Sequence, residues 1–91
     1  MKKIRYSTQY RKDIKRFADK KELIDDLYEI VRMLEYEIPI PPEYRPHRLK
    51  GKLKGCWECH IRGNFLLIWM DEVTGEICLE RLGSHSELFR M

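Results

Sequence analysis

The run Phe65-Leu66-Leu67-Ile68-Trp69-Met70 constrains this chain more than any other feature. Turn signals bound it on both sides, Arg62-Gly63-Asn64 before it and the stretch from Asp71 to Gly75 after it. Six apolar residues between turns are too few for a helix. They read as a central strand covered on both faces. Residues 56–61 alternate instead, with Trp57, Cys59 and Ile61 on one face and Cys56, Glu58 and His60 on the other. Arg62-Gly63-Asn64 is then a hairpin turn, and residues 76–82 form the last strand.

The first half of the chain must supply the cover. Ile4-Arg5-Tyr6-Ser7 reads as a short first strand, after which Ser7 or Thr8 caps a helix with Tyr10, Ile14 and Phe17 on one stripe. Asp19-Lys20-Lys21-Glu22 resembles a capping-box restart. It opens a second helix with Leu23, Leu27, Ile30, Val31 and Leu34 aligned, stopped at Pro39. Residues 39–54 hold all four prolines and no periodicity, a long stiff loop of the kind that carries function. Residues 84–88 read as a short helical turn ending at Phe89. The order is βααβββ, a single α+β domain over residues 1–91, with a two-helix hairpin packed on a small, largely antiparallel sheet.

Net charge is only +3, but it is unevenly spread. Residues 1–21 carry nine basic groups against Asp13 and Asp19, and residues 45–62 carry Arg45, Arg48, Lys50, Lys52, Lys54 and Arg62 against Glu58 alone. Two basic blocks suit a polyanion, while residues 22–37 are acidic and stay solvated. Met1-Lys2-Lys3 is not followed by the apolar run of a signal peptide, and no stretch is long enough for a membrane span. A cytoplasmic protein with no membrane partner is expected. An odd count of three cysteines argues against a disulfide framework.

The chemistry-bearing residues are three histidines, His47 in the proline-bounded loop, His60 in a strand and His85 just after one. Imidazole both takes and gives a proton near neutral pH, and guanidinium is well shaped to hold phosphate oxygens. Histidines beside Arg45, Arg48, Arg62 and Arg81, without an acidic metal cluster, point to metal-free phosphodiester cleavage with no cofactor. RNA is the substrate that carries its own nucleophile. Cys56-Trp57-Glu58-Cys59-His60 matches the C-x-x-C-H haem pattern, yet strand alternation sends the two sulfurs to opposite faces, which spoils both haem attachment and a zinc knuckle. Cys59 is expected in the core. Phe65 and Phe89 are candidates for stacking on unpaired bases, whereas Trp69 is expected to pack inside.

The arrangement His47-x-Leu49-x-Gly51-x-x-x-Gly55, Cys59-His60-Ile61 and Glu80-Arg81-x-Gly83-x-His85-x-x-Leu88-Phe89 resembles the YafQ-type branch of the RelE/ParE toxin superfamily. The likeness includes the start Tyr6-Ser7-x-Gln9-Tyr10-x-Lys12-Asp13. It implies a compact RelE-like, microbial-RNase-like fold. It also implies a ribosome-dependent endoribonuclease that enters the ribosomal A site, cuts mRNA, and is silenced by a cognate antitoxin. By the same resemblance His47, His60 and His85 are the active-site histidines, Arg81 contacts the phosphate, and Phe89 is the terminal aromatic. Where relatives place an acidic residue and tryptophan, this chain has Asn64-Phe65. Asn64 can hydrogen-bond but not titrate, and Phe65 can stack without an indole N–H.

On this reading His60 or His47 takes the 2′-OH proton, His85 protonates the leaving oxygen, and Arg81 stabilises the phosphorane charge. Asn64, Phe65, Phe89, Arg48, Arg62, Lys50, Lys52 and Lys54 are expected to bind substrate. The second helix and the apolar strand at 65–70 would offer surface to the antitoxin. The alternative is a ParE-like toxin that poisons a topoisomerase by contact alone. It would have no use for three placed histidines. A degenerate toxin, its catalysis lost with the carboxylate at Asn64, is a third reading.

Overall fold

The computed structural model describes residues 1–72 and 74–89, with the backbone only at Lys52. In chain order it contains β1 (Lys3–Tyr6), α1 (Thr8–Arg16), α2 (Lys21–Glu35), β2 (His47–Arg48), β3 (Cys56–Arg62), β4 (Phe65–Asp71), β5 (Glu76–Ser84) and α3 (His85–Leu88). Two 3-10 turns lie at Pro42–Tyr44 and Gly51–Leu53. Among the described residues the strands form one sheet in the order β1-β5-β4-β3-β2. β1 runs parallel to β5, and every other pairing is antiparallel. The α+β architecture is the expected one, with β4 at the centre.

The helices cover one face of the sheet. Tyr10 from α1, Phe17 at its C-cap, and Leu23, Leu27 and Ile30 from α2 are buried against Cys59, Ile61, Leu67, Trp69, Leu79 and Leu82. Burying each such side chain is worth about 1.5–3 kcal/mol, so this stripe dominates stability. Cys59 sits in it fully buried, its thiol pushed up to about 12 by desolvation. Trp69 stacks on Trp57 at 6.3 Å between ring centroids. Cys56 lies on the opposite face, as strand alternation requires.

Ser7 begins α1 as expected, its Oγ accepting the Tyr10 N–H at 2.9 Å and donating to the Glu80 carbonyl at 2.8 Å. The capping box at Asp19 does not form. Lys20 occupies the N-cap of α2 without a side-chain bond. Nor does Pro39 end that helix. It closes at Glu35 in a Schellman motif, with Glu37 in the left-handed region (φ 59°), its N–H on the Leu34 carbonyl and Ile38 N–H on the Met33 carbonyl. The proline-rich loop is also more structured than its composition suggested, because β2 pairs with β3 inside it. β4 has both edges paired, so it offers no strand-addition surface to a partner. The outer side of α2 does remain open, with Tyr28, Tyr36 and Ile38 exposed. No described helix is long and apolar enough to cross a membrane.

Candidate active site

Strand register decides which of the scattered polar residues meet. Reading across β2, β3, β4 and β5, one row is His47, Glu58, Ile68 and Arg81. The next row is His60, Leu66 and Gly83. Cross-strand partners share a face, and this is the face turned away from the two long helices. The His47 and His60 rings are 6.4 Å apart between centroids. β2 is what makes this happen: two residues of pairing carry His47 onto the sheet.

His47 is held at both nitrogens. Nδ1 bonds to the Arg45 carbonyl at 2.8 Å, and because a carbonyl only accepts, Nδ1 carries the proton there. Nε2 lies 3.1 Å from Glu58 Oε1. With Nδ1 already protonated, that second bond exists only if another proton lies between imidazole and carboxylate. Arg45 presents its carbonyl from a left-handed conformation (φ 51°), so local backbone strain aims the acceptor. Glu58 is 4% exposed, and its Oε2 has no partner among the described residues. His60 borders a polar cleft of about 360 Å³ that Glu43, Tyr44, Arg45 and Arg62 also line.

Arg81 occupies the far end of the first row, opposite Ile68 at a β-bulge that leaves Glu80 unpaired. Its Nε donates to Asp13 Oδ2 at 2.8 Å and its Nη2 to Asp13 Oδ1 at 3.3 Å. His85 opens α3, two residues past Gly83. Across the two strand spacings that separate them, Gly83 lies roughly 10 Å from His60. Gly83 has no side chain because α3 folds back on it: a Cβ there would lie 3.2 Å from Leu88 Cδ2. The turn is fixed by a reciprocal capping box between Ser84 and Glu87, and the His85 N–H bonds the Asn64 carbonyl at 3.1 Å. Phe89 closes the turn, its ring 5.0 Å from that of His85.

Several residues expected at the site are placed elsewhere. A bulge between His60 and Arg62 turns Arg62 toward α2, where Asp26 and Glu22 take its guanidinium at 2.7 and 3.0 Å. Asp26 first, and Glu22 with it, raise the pKa of that guanidinium above its ordinary value. Phe65 faces the helices and packs edge-on against Phe17 at 5.0 Å, which makes it part of the core rim. Arg48 pairs opposite Trp57 and lies 5.2 Å over its ring, on the other face from His47. Asn64 is exposed in the hairpin turn, bonded to His85 through its backbone only. Lys50 and Lys54 are exposed, flanking the 3-10 turn, and the Lys52 side chain lies outside the described residues.

Two residues of the site went unread. Glu58 shares its face with His60 at i, i+2, a relation visible in the alternation. Asp13 stands between Tyr10, Ile14 and Phe17 on the apolar stripe of α1, where a carboxylate has no business unless it is paired. Among the described residues, no three or more His, Cys, Asp or Glu side chains group as a metal-ligand set.

This geometry can be set beside known proteins. Residues 2–90 match the family described as the bacterial toxin of type II toxin-antitoxin system, YafQ. The chain belongs to the YafQ toxin family. It is 32% identical over 88 residues to the mRNA interferase toxin YafQ of Escherichia coli strain K12, covering 94% of each chain. A metal-bound toxin from Helicobacter pylori superposes with a TM-score of 0.88 at 39% identity, covering 98% of this chain and all of that one. YafQ of the E. coli DinJ–YafQ complex superposes with a TM-score of 0.84 at 28% identity, covering 98% and 99%.

Proposed function

We propose that this chain is an endoribonuclease toxin, an mRNA interferase that acts in the ribosomal A site and cleaves by metal-free attack of the RNA 2′-OH. The observation that carries the reading is the pair His47 and His60, 6.4 Å apart, on the sheet face that also bears Arg81. Membership of a family whose E. coli relative is an mRNA interferase supports it.

The geometry divides the roles. His47 has both nitrogens engaged, so it is not the group that accepts the proton, and its fixed ring bounds the space beside His60 where the attacking sugar lies. His60, whose ring has no hydrogen bond to another described residue, takes the 2′-OH proton as a neutral imidazole. The oxygen attacks phosphorus, and the bond to the 5′-oxygen breaks. His85, as imidazolium, gives that oxygen a proton. Arg81 meets the growing charge on the non-bridging oxygens with the three N–H groups that Asp13 leaves free. The products are a 2′,3′-cyclic phosphate and a 5′-hydroxyl. Phe89 stacks beside His85, and the exposed Lys50 and Lys54 hold the RNA backbone by charge alone. The protein is silenced by a cognate antitoxin, as the DinJ–YafQ complex suggests.

Primer extension on mRNA in a translating extract tests this. Cleavage should persist in chelator, vanish with a 2′-deoxy residue at the cut, and fall about 10²–10⁴-fold in His85→Ala. Undiminished cleavage by that variant removes His85 from the mechanism. Inhibition of supercoiling by a topoisomerase without any RNA cleavage would instead assign the contact-poison mode.

A further inference from the structure

Arg81 has a neighbour that the reaction as described does not use. Resting on the reading above, we propose that Asp13 is a positioning residue: it fixes the Arg81 guanidinium in the orientation that meets the transferring phosphate, and it stays bound throughout the reaction.

Asp13 is 1% exposed, on the buried stripe of α1. A lone carboxylate there would be costly, and its contacts show what the site is built for. Oδ2 accepts both Arg81 Nε at 2.8 Å and the backbone N–H of Leu82 at 3.0 Å. Oδ1 accepts Arg81 Nη2 at 3.3 Å and, at the limit of hydrogen bonding, Gln9 Nε2 at 3.4 Å. The carboxylate therefore grips the guanidinium from its Nε side and is itself anchored to the backbone of the next residue in β5. That arrangement ties the plane of the guanidinium to the frame of the strand.

The local topology explains why α1 can reach this spot. β1 pairs with β5 only as far as Tyr6 opposite Leu79. Beyond that point the edge of β5 would be bare. Ser7 takes over, its N–H on the Leu79 carbonyl at 3.0 Å and its Oγ on the Glu80 carbonyl at 2.8 Å. One turn and a half later Asp13 satisfies the Leu82 N–H. The bulge at Glu80, whose carbonyl Ser7 holds, brings Arg81 opposite Ile68.

The side-on grip uses Nε–H and one N–H of Nη2 and leaves three donors. The Arg81 side chain is 32% exposed, so these donors have access to a phosphate. An oriented fork matters because guanidinium recognition of phosphate is directional, and a misplacement of about 1 Å costs up to about 100-fold in rate. The competing arrangement is a blocking one, in which Asp13 neutralises Arg81 and must release it before RNA binds. The two make opposite predictions.

The test is Asp13→Asn, which keeps the acceptor for Leu82 but removes the charge and puts a donor against the guanidinium. Per folded molecule, kcat should fall about 10–100-fold while KM stays level or drops, since one negative charge has left the immediate surroundings of Arg81. The wild type should discriminate between the two phosphorothioate diastereomers at the cut, and Asp13→Asn should lose that discrimination. Arg81→Lys should lose it too, and the double variant should be no worse than the poorer single one. A lower melting temperature with unchanged kcat and unchanged diastereomer preference would make Asp13 merely structural and overturn the proposal. Faster cleavage by Asp13→Asn would establish the blocking arrangement instead.

A measurement on the wild type covers a variant that does not fold. On titration with a 2′-deoxy oligonucleotide, the Arg81 Nε–H resonance should hold its position while the Nη resonances move. Loss of the Nε–H signal on binding overturns the proposal. If the wild type cuts no RNA at all, the functional reading fails, yet the same resonances still report whether Asp13 retains its hold on Arg81 when a phosphate arrives.

Discussion

Two buried carboxylates mark the two ends of one row across the sheet, and they are satisfied very differently. Asp13, beyond Arg81, has both oxygens engaged by a guanidinium, with a backbone N–H added. Glu58, beside His47, has one oxygen on an imidazole and the other on nothing among the described residues. Their partners differ in kind. Guanidinium is charged at any pH the protein meets, whereas imidazole changes charge near neutrality. The Arg81 end of the row is therefore a fixed electrostatic frame. The His47 end is a contact that exists only with a proton in it. The comparison separates a charge pair that is fixed in place from a contact whose geometry depends on a shared proton.

Isosteric neutralisation of each carboxylate should separate the two ends by the size of the loss. Asp13→Asn should cost about 1.5–3 kcal/mol, the range for hydrogen bonds to a charged group, measured by urea unfolding. The figure is held below that of a fully buried pair because Arg81 is one-third exposed. For a domain with about 5–15 kcal/mol in total, this is a severe loss. Glu58→Gln should change stability by less than about 1 kcal/mol, since losing the charged contact with His47 is offset by removing the charge from a buried side chain that has only one of its oxygens partnered. It should nevertheless slow RNA cleavage about 10-fold, because His47 loses the group that sets its ring. Equal destabilisation by the two substitutions would erase the distinction between the two ends of the row.

The fold was legible because its signals are local and redundant. The apolar run at 65–70 could only be a covered strand, and the alternation at 56–61 correctly sent Cys59 inward. What could not be read was register. Arg62 follows the parity of its strand in sequence, but one bulge reverses it toward α2, and no residue type near it signals that bulge. The placement of Arg48 was hidden for a related reason: the two-residue strand β2 has no periodicity to show, and once it pairs, its two side chains go to opposite faces. Phe65 is a stacking candidate both as an aromatic ring and by its place in the family pattern, yet its partner Phe17 lies across a layer that sequence spacing does not measure. Asp13 was readable as a polar residue on an apolar stripe. Its meaning required knowing that Arg81 would arrive beside it.

The smallest effect concerns the turn that places His85. Glu87 is held down to about 2, from an ordinary value near 4.5, first by the Ser84 backbone N–H and then by Arg16 and the Ser84 hydroxyl. A carboxyl whose pKa is depressed on folding stabilises the fold fully above its unfolded value and loses that contribution as pH falls through the folded one. Acid should thus loosen α3 between about pH 4.5 and 2, and it should do so before the core responds, since the hydrogen bonds of Glu87 lie at the protein surface. Carboxyl titration and amide exchange at His85 and Leu88, followed by NMR, check this. Glu87→Gln should retain the capping geometry and lose the pH dependence. A Glu87 carboxyl titrating near 4.5 in the folded protein would show that the capping box does not hold the charge, and that something other than this turn positions His85.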